Sequence, residues 1–199
     1  MRQVNSICVY CGSSADPKPM YVEAAQKVGR LLAHEKIKMV FGGGRVGLMG
    51  VVSDACVSAG GNVLGIMTDF LNSYEGGHTG ITELQIVPTM HERKQVMFDH
   101  SDAFVVLPGG LGTLDETFEM LTWKQVGLHT KPIILVDIDQ YWSGLFTTFF
   151  HHMIDQGFVR REDAALFTLV SCVDDILPAI ASAPTPNKDF MAKWGQTPS

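Results

Sequence analysis

Short apolar runs alternate along most of the chain with longer stretches in which apolar residues recur every three or four positions. The runs at 7–9, 39–41, 63–66, 84–87, 103–107 and 133–136 have the length of strands and are rich in Val, Ile and Leu, as strands buried on both faces are. Between them, Ala24, Val28, Leu31 and Leu32, then Leu48, Val51, Val52, Ala55 and Ala59, then Leu114, Phe118, Leu121 and Gln125, keep helical spacing and read as packing stripes. A further helix is expected from Trp142 to Gln156, and a last pair of elements over 166–170 and 173–180. Strand, helix, strand in series implies an α/β fold: a single Rossmann-like, doubly wound parallel sheet with helices on both faces. The domain is expected to span 1–182. From Ala181 the Ala-Pro-Thr-Pro-Asn stretch should end regular structure, leaving 183–199 as a flexible tail whose Phe190 and Trp194 could dock on the body.

At 199 residues, 46% hydrophobic and 18% charged, the chain has the size and composition of one globular domain. The net charge of -6 and the lack of a Lys/Arg block disfavour a nucleic acid polymer as partner, whereas a small anion needs only a few local donors. No apolar run approaches the roughly 20 residues of a bilayer span, and the N-terminus enters a strand without a signal-like apolar region. No membrane partner and a cytoplasmic location are expected. Of the cysteines Cys8, Cys11, Cys56 and Cys172, the first two form Cys-x-x-Cys, but a strand sends positions 8 and 11 to opposite faces. Without a second Cys/His pair at metal spacing, these are read as core cysteines.

In open sheets of this kind, ligands bind beyond the carboxyl ends of the strands. Four loops follow strands here: Cys11-Gly12-Ser13-Ser14, Gly42-Gly43-Gly44-Arg45-Val46-Gly47, residues 89–94, and Pro108-Gly109-Gly110-Leu111-Gly112-Thr113. Gly42, Gly44 and Gly47 satisfy the G-x-G-x-x-G spacing, with Asp69 further on, which is the dinucleotide fingerprint on paper. It falls in the second strand–helix unit instead of the first, so it is read as a phosphate or ligand loop and not an NAD site. Gly43 and Gly44, with Gly12 and Ser13 of the first loop, are candidate contacts. The 108–113 loop is better suited to a phosphate, since its amides and the Thr113 hydroxyl sit where a helix begins. No Lys-Ser/Thr follows Gly112, against nucleoside triphosphate hydrolysis. Asp115, Glu116 and Glu119 crowd the same helix end and would repel a phosphate on its axis. Thr113-x-x-Glu116 and Thr89-x-x-Glu92 both have capping-box spacing, so spacing alone makes Glu116 a cap and Arg93 a surface cation.

Met90-His91-Glu92-Arg93-Lys94, followed by Pro108-Gly109-Gly110-Leu111-Gly112-Thr113-Leu114-Asp115-Glu116, resembles the paired signature of the LONELY GUY phosphoribohydrolases, whose pattern is P-G-G-x-G-T-x-x-E. The similarity extends from the Cys-Gly-Ser-Ser loop to Gly127 and more weakly through Gly157-Phe158. It implies that Arg93 and Glu116 are the catalytic pair. It also implies ligand contacts at Glu75, Lys94, Gly110, Leu111, Gly112, Thr113, Leu114, Asp115 and Thr122, with Gly109 helping to hold a 5′-phosphate. Glu75 lies in the loop Ser73-Tyr74-Glu75-Gly76-Gly77-His78, where solvation alone also explains an acidic residue.

The reaction so implied is hydrolysis of the N-glycosidic bond of an adenosine-like nucleoside 5′-monophosphate, without metal or cofactor, in a homodimer. The released base is adenine or an N6-isoprenoid adenine, and the sequence leaves both open. Glu116 would stabilise the cationic sugar, and Arg93, too basic to shuttle protons ordinarily, would position it. Trp123 is interface or core. Two other classes compete. One is a nucleotide-binding carrier or sensor without turnover. The other is a lysine decarboxylase, a label often attached to this family, which would need a Schiff-base lysine in a context that Lys94 lacks.

Overall fold

The computed structural model describes residues 4–184, so the expected tail, with Phe190 and Trp194, lies outside the described residues apart from its first two positions. Seven strands, β1 (Ser6–Tyr10), β2 (Lys38–Phe41), β3 (Val63–Thr68), β4 (Glu83–Val87), β5 (Ala103–Val106), β6 (Ile133–Val136) and β7 (Thr168–Val170), form one sheet in the order β4-β3-β2-β1-β5-β6-β7. Every pairing is parallel, with Ile7 opposite both Met39 and Ala103 at the centre. The helices are α1 (Pro19–His34), α2 (Gly47–Ser58), α3 (Asp69–Glu75), α4 (Met90–Asp99), α5 (Leu111–Gln125), α6 (Phe150–Asp155) and α7 (Ile176–Ser182).

The period-2 rule divides the core in two. Ile7, Val9 and Cys11 join Leu32 of α1, Val52 of α2 and Ile176 of α7 on one face. Cys8 and Tyr10 face the other side with Met97 of α4, Met120 of α5 and Phe150 of α6. Both faces are therefore covered, and the Cys-x-x-Cys pair is split across the sheet. Burial of each large side chain here, such as Phe41, Phe104 or Leu107, stabilises by about 1.5–3 kcal/mol. Trp123 packs edge-on against Phe98, 5.2 Å between centroids, and so belongs to this second core.

Three local features differ from the expectation. Gly144–Phe149 winds as a π-helix into α6, and the 166–170 element is a strand only from Thr168. Helix α3 was not foreseen: none of its residues is buried, so it carries no apolar stripe, and Thr68 Oγ1 caps it by accepting from the Leu71 amide. Among the described residues, no helix is long and apolar enough to cross a membrane.

The topology positions the site. From β1 the chain winds outward to β4 and then returns to β5 on the other side of β1. The crevice at such a reversal opens beyond the ends of these two strands, where the 11–18 and 107–111 segments begin.

Candidate active site

A cavity of about 740 Å³ lies in this crevice, walled by the loops after β1, β2 and β5 and by the first turns of α1, α2 and α5. At its floor Arg93 and Glu116 meet, Nη1 donating to Oε1 at 2.7 Å. Arg93 is 6% exposed and Glu116 8%, so neither the surface-cation reading nor the cap reading holds. Helix α5 begins one turn earlier than the capping-box spacing suggests, with Gly110 as N-cap, which places Thr113 and Glu116 inside the helix. Thr89, by contrast, does cap α4, its hydroxyl accepting from the Glu92 amide at 3.1 Å. That cap sets the rotation of α4 and turns Arg93 inward. There Nε donates to the Ile66 carbonyl at 3.0 Å and Nη2 to the Gly42 carbonyl at 3.3 Å. Gly42 is required for this approach, because a Cβ there would occupy the position of Nη2.

The guanidinium is thus held by one carboxylate and two backbone carbonyls, one within β3 and one just past β2, a fixed fork that orients Glu116 toward the cavity it lines. Burial raises the Glu116 carboxyl above its ordinary value, the Arg93 charge opposing that rise and Asp115 adding to it. Cys11 also lines the cavity, but burial pushes its thiol and that of Cys8 far up, so neither supplies a thiolate.

The cradle above this pair is backbone. The first amides of a helix have no intrahelical acceptor. In α5 the Leu114 amide is engaged by the Gly110 carbonyl at 3.0 Å, leaving those of Leu111, Gly112 and Thr113 at the cavity edge. The α2 start is different, since its Leu48 amide already donates to the Gly12 carbonyl at 3.0 Å. Loop 108–110 is pressed against the β1 loop by the Gly12 amide, which donates to the Pro108 carbonyl at 3.0 Å. Gly109 must lack a side chain here, because a Cβ would strike the Thr113 hydroxyl and the Gly12 amide.

Of the residues expected at the site, Arg93, Glu116, Gly12, Ser13, Glu75, Gly109, Gly110, Leu111, Gly112, Thr113 and Asp115 line the cavity. Glu75 does so from the end of α3, so Ser73, Tyr74 and Glu75 are helical where a loop was expected. Gly43, Gly44, Lys94, Leu114 and Thr122 are outside it. Gly43 accepts from the His78 amide at 3.0 Å and Gly44 is bridged to Gly77, so the second glycine loop is clamped by the 76–78 segment instead of facing a ligand. Asp69 of the dinucleotide spacing is exposed beyond the cavity. Leu114 packs toward the sheet, and the exposed Thr122 donates to the Phe118 carbonyl further along α5.

Lys94 is 7% exposed and ion-paired with Asp115 at 3.2 Å and Glu119 at 3.1 Å. The carboxylate crowding anticipated at the α5 end is therefore neutralised from behind. Burial lowers the Lys94 pKa, but hydrogen bonds with Glu119 and Asp115 outweigh it and the net shift is upward. A Schiff-base lysine needs the opposite.

Sequence reasoning missed the apolar wall of Met49, Met67, Leu71 and Met90, and the rim residues Lys18, Tyr21 and Tyr141. Position after a strand was a usable signal for Lys18 and Tyr141. The methionines, spread over α2, β3 and α4, share no sequence pattern that marks a common wall.

Replacing Arg93 with Ala should abolish activity and, against the expectation for a surface cation, cost about 3–5 kcal/mol of stability, because Glu116 stays buried without its partner. Without Arg93 the folded-state pKa of Glu116 rises further above the ordinary 4.5, the native state holds a proton that the unfolded chain releases, and stability falls as pH climbs through that interval. Melting curves should show a larger deficit at about pH 8 than at about pH 4; a deficit independent of pH would mean Glu116 is not the group left uncompensated.

A family model described as "Possible lysine decarboxylase" matches residues 49–180. The chain is 46% identical over 153 residues to cytokinin riboside 5′-monophosphate phosphoribohydrolase LOG7 of Arabidopsis thaliana, covering 77% of this chain and 70% of the relative. It is 38% identical to the cytokinin riboside 5′-monophosphate phosphoribohydrolase of Rhodococcoides fascians, over 89% of each. Among solved structures, the molybdenum cofactor binding protein of Rippkaea orientalis superposes with a TM-score of 0.69 at 22% identity, covering 92% of this chain and 98% of that one. The molybdenum cofactor carrier protein of Chlamydomonas reinhardtii gives 0.68 at 18%, covering 96% and 99%. At such identities the two structures speak to the fold alone.

Proposed function

The chain belongs to the LONELY GUY family of phosphoribohydrolases, and from that premise we propose that it hydrolyses the N-glycosidic bond of N6-modified adenosine 5′-monophosphates at the Arg93–Glu116 floor of the cavity. The observation that carries the assignment is the buried 2.7 Å pair lying beneath the start of α5, whose first amides have no intrahelical acceptor. In the reaction the bond from C1′ to the base nitrogen breaks, its electrons leave with the base, and water adds to C1′. The base gains one proton and water gives one up, so the products are free base and ribose 5-phosphate.

Each protein group has a part in this. The amides of Gly110, Leu111, Gly112 and Thr113 hold the 5′-phosphate, as a helix start holds a compact dianion. Anchoring there places the anomeric carbon over Glu116, whose carboxylate stabilises the cationic sugar and aligns water. Arg93 fixes Glu116 in place. The apolar wall of Met49, Met67, Leu71 and Met90 faces the base and accommodates an N6 substituent. Lys94 stands behind Asp115 as a counter-ion, which opposes the decarboxylase description.

We extend the reading to AMP as a smaller substrate, to a cytoplasmic setting and to a homodimer. The homodimer is to be read from sedimentation. Incubation with AMP and with isopentenyladenosine monophosphate in separate reactions tests the substrate: free base should appear from both and faster from the prenylated nucleotide. Binding of either nucleotide without base release would make the protein a carrier.

A further inference from the structure

Beyond β6 the backbone does something that its residues resist. Asp139 and Gln140 both take left-handed conformations, with φ of 55° and 56°, and neither is glycine. Such residues each cost on the order of 1–3 kcal/mol and persist only where their surroundings over-determine them. Here the surroundings do. Asp137 accepts from the Trp142 amide at 2.6 Å and the Ser143 amide at 3.1 Å, and from the Ser143 hydroxyl, drawing the chain into a tight reversal. The residue delivered by this turn is Tyr141, whose hydroxyl donates to the Gly109 carbonyl at 2.7 Å. Its ring is braced edge-on by Tyr21 of α1, 5.6 Å between centroids, and both tyrosines line the cavity rim.

We infer that Tyr141 is a positioning residue for the phosphate cradle: by holding the Gly109 carbonyl it fixes the Gly109–Gly110 peptide and thereby the direction of the Gly110 amide at the start of α5. A trans peptide is planar, so its C=O and the following N–H point in opposite directions and cannot turn independently. Glycine on both sides leaves this plane without side-chain restraint, and the neighbouring Pro108 carbonyl is already tied from outside by the Gly12 amide. The two carbonyls of the loop are thus turned to protein donors, while the Gly110 amide, at the cavity edge, remains for an anion. The strain in the 139–140 turn has a use on this account, since it sets the hydroxyl where one hydrogen bond governs the loop.

The inference rests on the proposed phosphate site. Its test is Tyr141→Phe, which keeps the ring and its packing on Tyr21 and removes the hydroxyl alone. Two quantities are measured on wild type and variant: the dissociation constant of ribose 5-phosphate by calorimetry, and the ratio of kcat/KM for AMP to that for adenosine. The variant should bind ribose 5-phosphate about three- to tenfold more weakly, the range of one neutral hydrogen bond, and its AMP-to-adenosine ratio should fall by a similar factor. A role in folding alone would lower both substrates equally and leave the ratio unchanged. An unchanged ratio, or unchanged ribose 5-phosphate affinity, overturns the inference. Failure of the wild type itself to bind ribose 5-phosphate would instead sink the phosphate site on which it rests.

Discussion

Adenosine is expected to be cleaved at least about a hundredfold less efficiently than AMP in kcat/KM. Losing the phosphate removes several charge-assisted hydrogen bonds at the start of α5, each contributing about 1.5–3 kcal/mol, and two of them already exceed two decades. The effect should fall partly on kcat, because the phosphate orients a bond several ångströms away from it, and binding remote from the reacting centre is what aligns that centre. The 11–14 loop braces the same segment through the bond from the Gly12 amide to the Pro108 carbonyl. Comparing base release from the two substrates at equal concentration and moderate salt measures this directly. Equal rates would mean that the 108–113 loop does not hold a phosphate.

Glu116→Gln should reduce base release by at least about a thousandfold, since a carboxylate opposed to developing positive charge is the electrostatic term on which the reaction depends. The amide keeps the shape and can still accept from Arg93, so the fold and nucleotide binding should survive. It leaves Arg93 without a counter-charge, and a modest loss of melting temperature is expected, smaller than for Arg93→Ala, where the charge left behind is a buried carboxylate instead of an arginine that still donates to Ile66 and Gly42.

How much of this was legible in advance varies with the physics of each feature. The strands at 7–9, 39–41 and 103–107 were readable because parallel strands covered on both faces must be continuously apolar, and the split of Cys8 from Cys11 followed from period 2. The Arg93 and Glu116 pair was readable only through the family signature. Local spacing gave a surface cation and a cap, because it cannot register that Gly110, two residues past Pro108, takes the N-cap and shifts Glu116 inward. Helix α3 was invisible since it buries nothing, and with it the placement of Glu75. Gly43 and Gly44 matched a ligand-loop pattern, yet long-range pairing with Gly77 and His78 turned that stretch to structural use. Tyr141 follows a strand, which marks the site end of the sheet, but its role was hidden: its partner is a carbonyl 32 residues away, and no pattern of side chains encodes a bond to backbone.

The central claim is that Glu116 drives hydrolysis of a nucleotide seated in this cavity. One paired time course addresses it most directly, with free base and ribose 5-phosphate quantified from isopentenyladenosine monophosphate incubated with wild type and with Glu116→Gln, and nucleotide binding by both proteins measured calorimetrically. The wild type should release the two products in equal amounts, while the variant binds the nucleotide and releases neither above background. Near-normal turnover by the variant, or base released without ribose 5-phosphate, would contradict the account.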